Sequence, residues 1–163
     1  MSGGGLKTKS SGKSAFRFLI PRKAALDDPI TQKFAKRHGE LIIWYGKDRR
    51  VVMYPCQHNE LLNFVCIHPT GESEPASIEK DWNKAGHKST LLDVYKTFDP
   101  ALLALLAKAD SGTLKVWELL DMDTLPTWVH DRLALMGDAA HPFTPRMCHY
   151  RSQSSVSFVL TCS

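Results

Sequence analysis

The residues best suited to chemistry lie late in the sequence, where an apolar run ends in Gly137, Asp138, Ala139, Ala140, His141 and Pro142. Residues 132–136 are mostly apolar and predict a strand buried on both faces. A glycine at its carboxyl end lets the backbone approach a ligand closely. Asp138 can accept hydrogen bonds from the hydroxyls of a sugar or polyol, and the two alanines leave room for a flat or bulky group. Ligands of open α/β sheets bind outside the carboxyl ends of the strands. Two readings fit these residues, a ligand seat and a tight strand-to-loop turn.

Other reactive side chains are less well arranged. His141, Cys148 and His149 lack zinc spacing and a fourth ligand, so no metal is expected. Cys148 and His149 are adjacent, which keeps them from facing each other as nucleophile and base. His58 and His68 flank a strand-like run and read as turn or surface histidines.

The elements that must position any site come from an ordinary globular composition. The 163 residues are 43% apolar and 23% charged, which fits one domain or a piece of a larger protein. Lys and Arg exceed Asp and Glu by 21 to 17. Six of those cations (Lys7, Lys9, Lys13, Arg17, Arg22 and Lys23) precede the first acid. They read as a solvated arm or a polyanion contact, with no nucleic-acid motif beside them. No apolar run reaches the ~18 residues of a membrane span, and the start lacks a signal-peptide core. Four cysteines without CxxC spacing suggest free thiols and a cytoplasmic setting.

Residues 15–20 predict a strand bounded by Pro21. Asp28 and Pro29 predict the start of a short helix that ends near Gly39. Residues 40–45, 50–54 and 60–67 are β-branched and aromatic, are separated by turns, and predict an antiparallel meander. Alternation sets Leu41, Ile43 and Tyr45 on one face, with Ile42 and Trp44 on the other. Thr90 to Asp93 carries a weak capping pattern, and Asp99 with Pro100 opens a helix striped by Leu102, Leu103, Leu105 and Leu106. Residues 114–119 predict a further strand. The order indicates an α/β (α+β) protein, with an antiparallel sheet and helices followed by a fragment of a Rossmann-like domain.

The segment 137–142, with the preceding strand, Trp128 and Pro145, resembles the second FAD-binding motif of the class A flavoprotein monooxygenases, the salicylate- and 4-hydroxybenzoate-hydroxylase-like enzymes. Tyr54 with Pro55, and Leu62 through Phe64, look like that family's substrate-domain sheet. Residues 15–21 look like the strand that enters it. The resemblance covers roughly residues 14–145. It implies an oxidoreductase that binds FAD, takes electrons from NAD(P)H, and uses O₂ to hydroxylate a small aromatic substrate. It implies that Asp138 contacts the ribityl chain, that Gly137, Ala139 and Ala140 allow close approach, and that His141 and Pro142 lie near the flavin ring. An aromatic acid would call for a cation and a hydroxyl, and Arg17 and Tyr54 are the candidates on the sheet.

The sequence also departs from the family. No GxGxxG follows a strand, so the pyrophosphate cradle is missing. Beyond Pro145 the family's Gly-rich helix start is replaced by Arg146, Met147, Cys148 and His149. A truncated gene model or an unspliced intron would give such an ending, and a transcript with a Gly-rich continuation would show it. The expected organisation is a flexible basic arm (1–14), a substrate-domain region (15–128), the FAD-binding strand and motif (129–145) and an atypical, disordered tail (146–163). The competing expectation is a non-catalytic remnant without cofactor that associates through unpaired sheet edges.

Overall fold

A computed structural model describes residues 8–73, 84–122, 127–130, 133–136 and 160–162. Its centre is a seven-stranded sheet in the order β5-β6-β1-β4-β3-β2-β9. The strands are β1 (Thr8–Pro21), β2 (Ile42–Tyr45), β3 (Arg50–Cys56), β4 (Leu61–Pro69), β5 (Lys84–Ala85), β6 (Lys115–Met122) and β9 (Leu160–Cys162). Two further strands, β7 (Val129–His130) and β8 (Leu133–Ala134), form a separate hairpin. All pairings in the large sheet are antiparallel except β2 with β9. The helices are α1 (Arg22–Leu26), α2 (Gln32–Ala35), α3 (Lys88–Val94) and α4 (Pro100–Leu106). The α+β class expected from the sequence is the class observed.

The meander is where alternation places it. Trp44, Val51, Met53, Leu62, Phe64 and Cys66 turn to one face and are buried. Phe16, Phe18 and Ile20 of β1 join them, with Phe18 stacked on Phe64 at 4.8 Å between ring centroids. Leu91, Val94, Tyr95, Phe98, Leu102, Leu105 and Leu106 from the α3–α4 layer close this core. Each fully buried side chain of this size contributes about 1.5–3 kcal/mol. The start of α4 is built as its sequence dictates, since the Asp99 carboxylate accepts from Ala101 N at 2.7 Å and Pro100 occupies the first turn.

Several expectations change. The first strand begins at Thr8, so residues 8–14 are not a flexible arm; β6 gives them hydrogen-bond partners, and a bulge between Ser10 and Lys13 absorbs Gly12 at φ 71°. Residues 1–7 lie outside the described residues. The short helix expected after Asp28 forms only over Gln32–Ala35. The Asp28 side chain accepts from Ile30 N and its carbonyl from Thr31 and Gln32, so the chain turns there before the four-residue α2. β3 runs through Pro55, which is tolerated because β2 pairs with β3 only as far as Met53. In the segment expected to be atypical, Leu160–Cys162 forms β9; its other residues lie outside the described set.

The largest correction concerns residues 132–136, of which 133–136 are described. A buried strand is expected there, yet β7 and β8 form an exposed ribbon with Leu133 76% and Met136 82% accessible. A parallel strand is buried only when neighbouring strands and helices cover it, and among the described residues none does.

Candidate functional site

The sheet has two unlike faces. One carries the core beneath α3 and α4. The other is set by register: Arg17 stands opposite Val65, Leu19 opposite Asn63, Tyr54 opposite Asn63 and Val52 opposite Val65. In an antiparallel pair, residues directly opposite share a face. Arg17 and Tyr54, chosen from the sequence, therefore lie on the same face, one on each side of β4. Strand spacing and rise put their Cα atoms about 12 Å apart. Ile43 and Tyr45 of β2 join that face opposite Val52 and Arg50.

Arg17 is half-buried, with its guanidinium carbon 4.6 Å from the centroid of the Trp117 ring. A guanidinium stacked on an indole gains a cation–π attraction and keeps its in-plane N–H donors. No carboxylate among the described residues pairs with it. Lys115 stands directly across from it on β6. Tyr54 is half-buried beside the buried Asn63. Trp117 and Lys115 escaped the sequence reading as site residues. Their place on this face depends on β1 pairing with β6, about a hundred residues away, which no local pattern signals.

The end of the sheet near the β2–β3 turn holds a cavity of about 530 Å³ whose charges answer one another. Arg49 donates to both Glu72 oxygens at 2.7 and 2.8 Å, to Asp48 at 2.7 Å and to the Val94 carbonyl at 2.6 Å. Asp48 is held below the usual carboxylate range by that guanidinium. This is a clamp between the turn and the α3 end, with its charges satisfied internally. Gly137, Asp138, Ala139, Ala140, His141 and Pro142 lie outside the described residues. Among the described residues no cluster of His, Cys, Asp or Glu could hold a metal ion.

Comparison with known proteins agrees with this architecture. An FAD-dependent monooxygenase of Nectria sp is 29% identical over 142 residues, covering 87% of this chain and 32% of the relative. The 3-hydroxybenzoate 6-hydroxylase 1 of Aquipseudomonas alcaligenes is 30% identical over 148 residues, or 89% of this chain and 32% of that enzyme. A salicylate hydroxylase in complex with substrate superimposes with a TM-score of 0.66 at 25% identity, over 85% of this chain and 34% of the other. The fold is shared with CtdE in complex with FAD and a substrate, at a TM-score of 0.65 over 88% of this chain and 35% of the other. No family model matches the sequence. The chain is similar, over most of its length, to a part of FAD-dependent monooxygenases. It spans about a third of the length of the curated relatives it matches.

Proposed function

We propose that this chain carries the substrate-covering sheet and one FAD-contacting motif of a monooxygenase that hydroxylates a small aromatic substrate, using FAD, NAD(P)H and O₂. The observation that carries the reading is the sheet face opposite α3 and α4 with Arg17 and Tyr54 on it, in a chain that superimposes on a substrate-bound salicylate hydroxylase. On this reading Arg17 takes the charge of an acidic substrate and Tyr54 offers it a hydroxyl. The apolar positions between them, Val52 and Val65, exclude water from the bound ring.

FAD supplies the redox chemistry when bound. The described residues include no βαβ unit, so they offer no pyrophosphate cradle. Contact with the cofactor falls to Gly137, Asp138, Ala139, Ala140, His141 and Pro142, with Asp138 accepting from polyol hydroxyls. Each charge-assisted phosphate contact is worth about 1.5–3 kcal/mol, so a seat without several of them binds orders of magnitude more weakly. The isolated chain therefore binds FAD weakly and does not turn over. The setting is cytoplasmic on this reading, and among the described residues no helix is long and apolar enough to cross a membrane.

The test is a titration of the purified chain with FAD, followed by flavin fluorescence and repeated with Asp138→Ala. Saturable binding lost in the variant supports the reading. Its absence in soluble, folded protein removes the cofactor role from this chain. A second reading, a non-catalytic chain that associates with a partner, is favoured by the exposure of Leu133 and Met136.

A further inference from the structure

The register brings a second cation to Arg17, and two like charges directly opposite on neighbouring strands destabilise a sheet. Lys115 occupies that position, although opposite charge or an apolar residue there would favour folding. Among the described residues the same face offers no carboxylate to relieve the pair. Its positions on β1, β4, β3 and β6 nearest the pair are Ala15, Leu19, Val65, Val52 and Trp117, none of them acidic. Arg17 is satisfied by the indole face instead, which leaves the edge of its guanidinium unspent. A rule of sheet construction broken without a compensating partner marks a place where function sets the residues.

We propose that Lys115 is a specificity-determining residue that joins Arg17 in seating one carboxylate of an anionic aromatic ligand, and that Trp117 is the positioning residue for the Arg17 guanidinium. The inference rests on reading this face as the substrate face. The guanidinium edge supplies a bidentate fork for the carboxylate, and the ammonium adds a point charge from the neighbouring strand. The rest of the ligand must be flat and apolar, because Val65 and Leu19 stand beside the pair. A highly hydroxylated anion such as a sugar phosphate would leave its hydroxyls against these side chains without partners.

The probes are benzoate and its neutral analogue benzamide, with dissociation constants measured by NMR titration of the full chain. Wild type is expected to prefer benzoate by about tenfold or more, with a preference that shrinks as salt rises. Lys115→Gln should cut that preference about fivefold and Lys115→Arg should restore it, with benzamide binding unchanged in both. Trp117→Leu should weaken benzoate by releasing the Arg17 guanidinium, and Trp117→Phe should recover part of the loss. Equal binding of the two probes, no binding of either, or an unaltered preference in Lys115→Gln would each overturn the proposal. FAD titration of the same samples separates the two failures. FAD binding without anion preference sinks this inference alone, and loss of both sinks the reading beneath it.

Discussion

His68 and Tyr95 meet edge to face inside the core, with ring centroids 6.3 Å apart, and each ends in a polar atom without a partner among the described residues, Nε2 and Oη. His68 also stacks on Phe16 at 4.6 Å between ring centroids. Its Nδ1 lies 3.1 Å from the Cys66 carbonyl, which can only accept, so Nδ1 carries the proton and Nε2 is bare. Burial makes a second proton costly and lowers the imidazole from its ordinary 6.5 to about 4; Glu72 opposes this shift, while Arg49 and Lys13 reinforce it. The unfolded chain therefore binds the proton first. The contribution of neutral His68 is complete above about pH 6.5 and is lost as the pH falls toward 4, amounting to about 3 kcal/mol. Urea midpoints measured between pH 8 and pH 4.5 should fall faster for wild type than for His68→Phe, which keeps the stack on Phe16. Parallel curves would contradict the assignment.

Arg22 is buried, and among the described residues no carboxylate pairs with it. Its Nε donates to the Ala35 carbonyl at 2.8 Å and its Nη2 to the Lys36 carbonyl at 3.2 Å, so it closes the end of α2. Its backbone N–H donates to the Glu60 carbonyl at 2.8 Å, holding the same corner to the start of β4. Arg22→Met would leave those α2 carbonyls without donors and is expected to cost about 2–3 kcal/mol. Arg22→Lys should not rescue it, because an ammonium lacks the planar fork. Lys23→Ala, at an exposed pair with Asp27, should cost less than about 0.5 kcal/mol in the same denaturation series and serves as the control.

What the sequence made legible was local. The β2–β3–β4 meander was readable because hairpin partners are neighbours in the chain and each strand alternates within a few residues. α4 was readable because Asp99 and Pro100 carry their meaning in two positions. Long-range pairing was not. Thr8 to Ser14 has no apolar alternation, and it is a strand only because β6 lies alongside it. The same pairing puts Trp117 under Arg17, so the neighbours of Arg17 stayed hidden. Residues 132–136 misled for the opposite reason. Their composition is that of a covered strand, and composition says nothing of whether the covering layers are present.

The turn between β3 and β4 holds three successive residues in the left-handed region, Gln57, His58 and Asn59, at φ 47°, 56° and 68°. For a residue other than glycine this costs about 1–2 kcal/mol each, less for Asn. His58→Gly relieves that strain and gives back part of it as chain entropy, so a gain of about 0.5–1 kcal/mol is expected. His58→Val, branched at Cβ, should lose more than about 1 kcal/mol. Asn59→Gly should gain less than His58→Gly, because the Asn59 side chain accepts from Gly39 N at 3.2 Å. Thermal midpoints of the three variants would order them, and a destabilised His58→Gly would refute the strain argument.

The exposed ribbon decides how the chain behaves in solution. Leu133, Leu135 and Met136 are accessible together with Val129, and Leu135 N donates to the Trp128 carbonyl at 2.8 Å, which keeps the ribbon's apolar side chains close to one another. An apolar group of this kind draws in whatever can cover it. In a chain that lacks a cofactor-binding βαβ unit among its described residues, the nearest source is another copy. Wild type is therefore expected to show a concentration-dependent rise in mass by sedimentation, and Leu133→Lys with Met136→Lys should abolish it without changing the unfolding midpoint. Added FAD discriminates the two readings of function. If the cofactor organises this segment, self-association falls as FAD rises, and it does not fall in Asp138→Ala. If mass is monomeric at every concentration, the association reading fails and the apolar ribbon is simply tolerated.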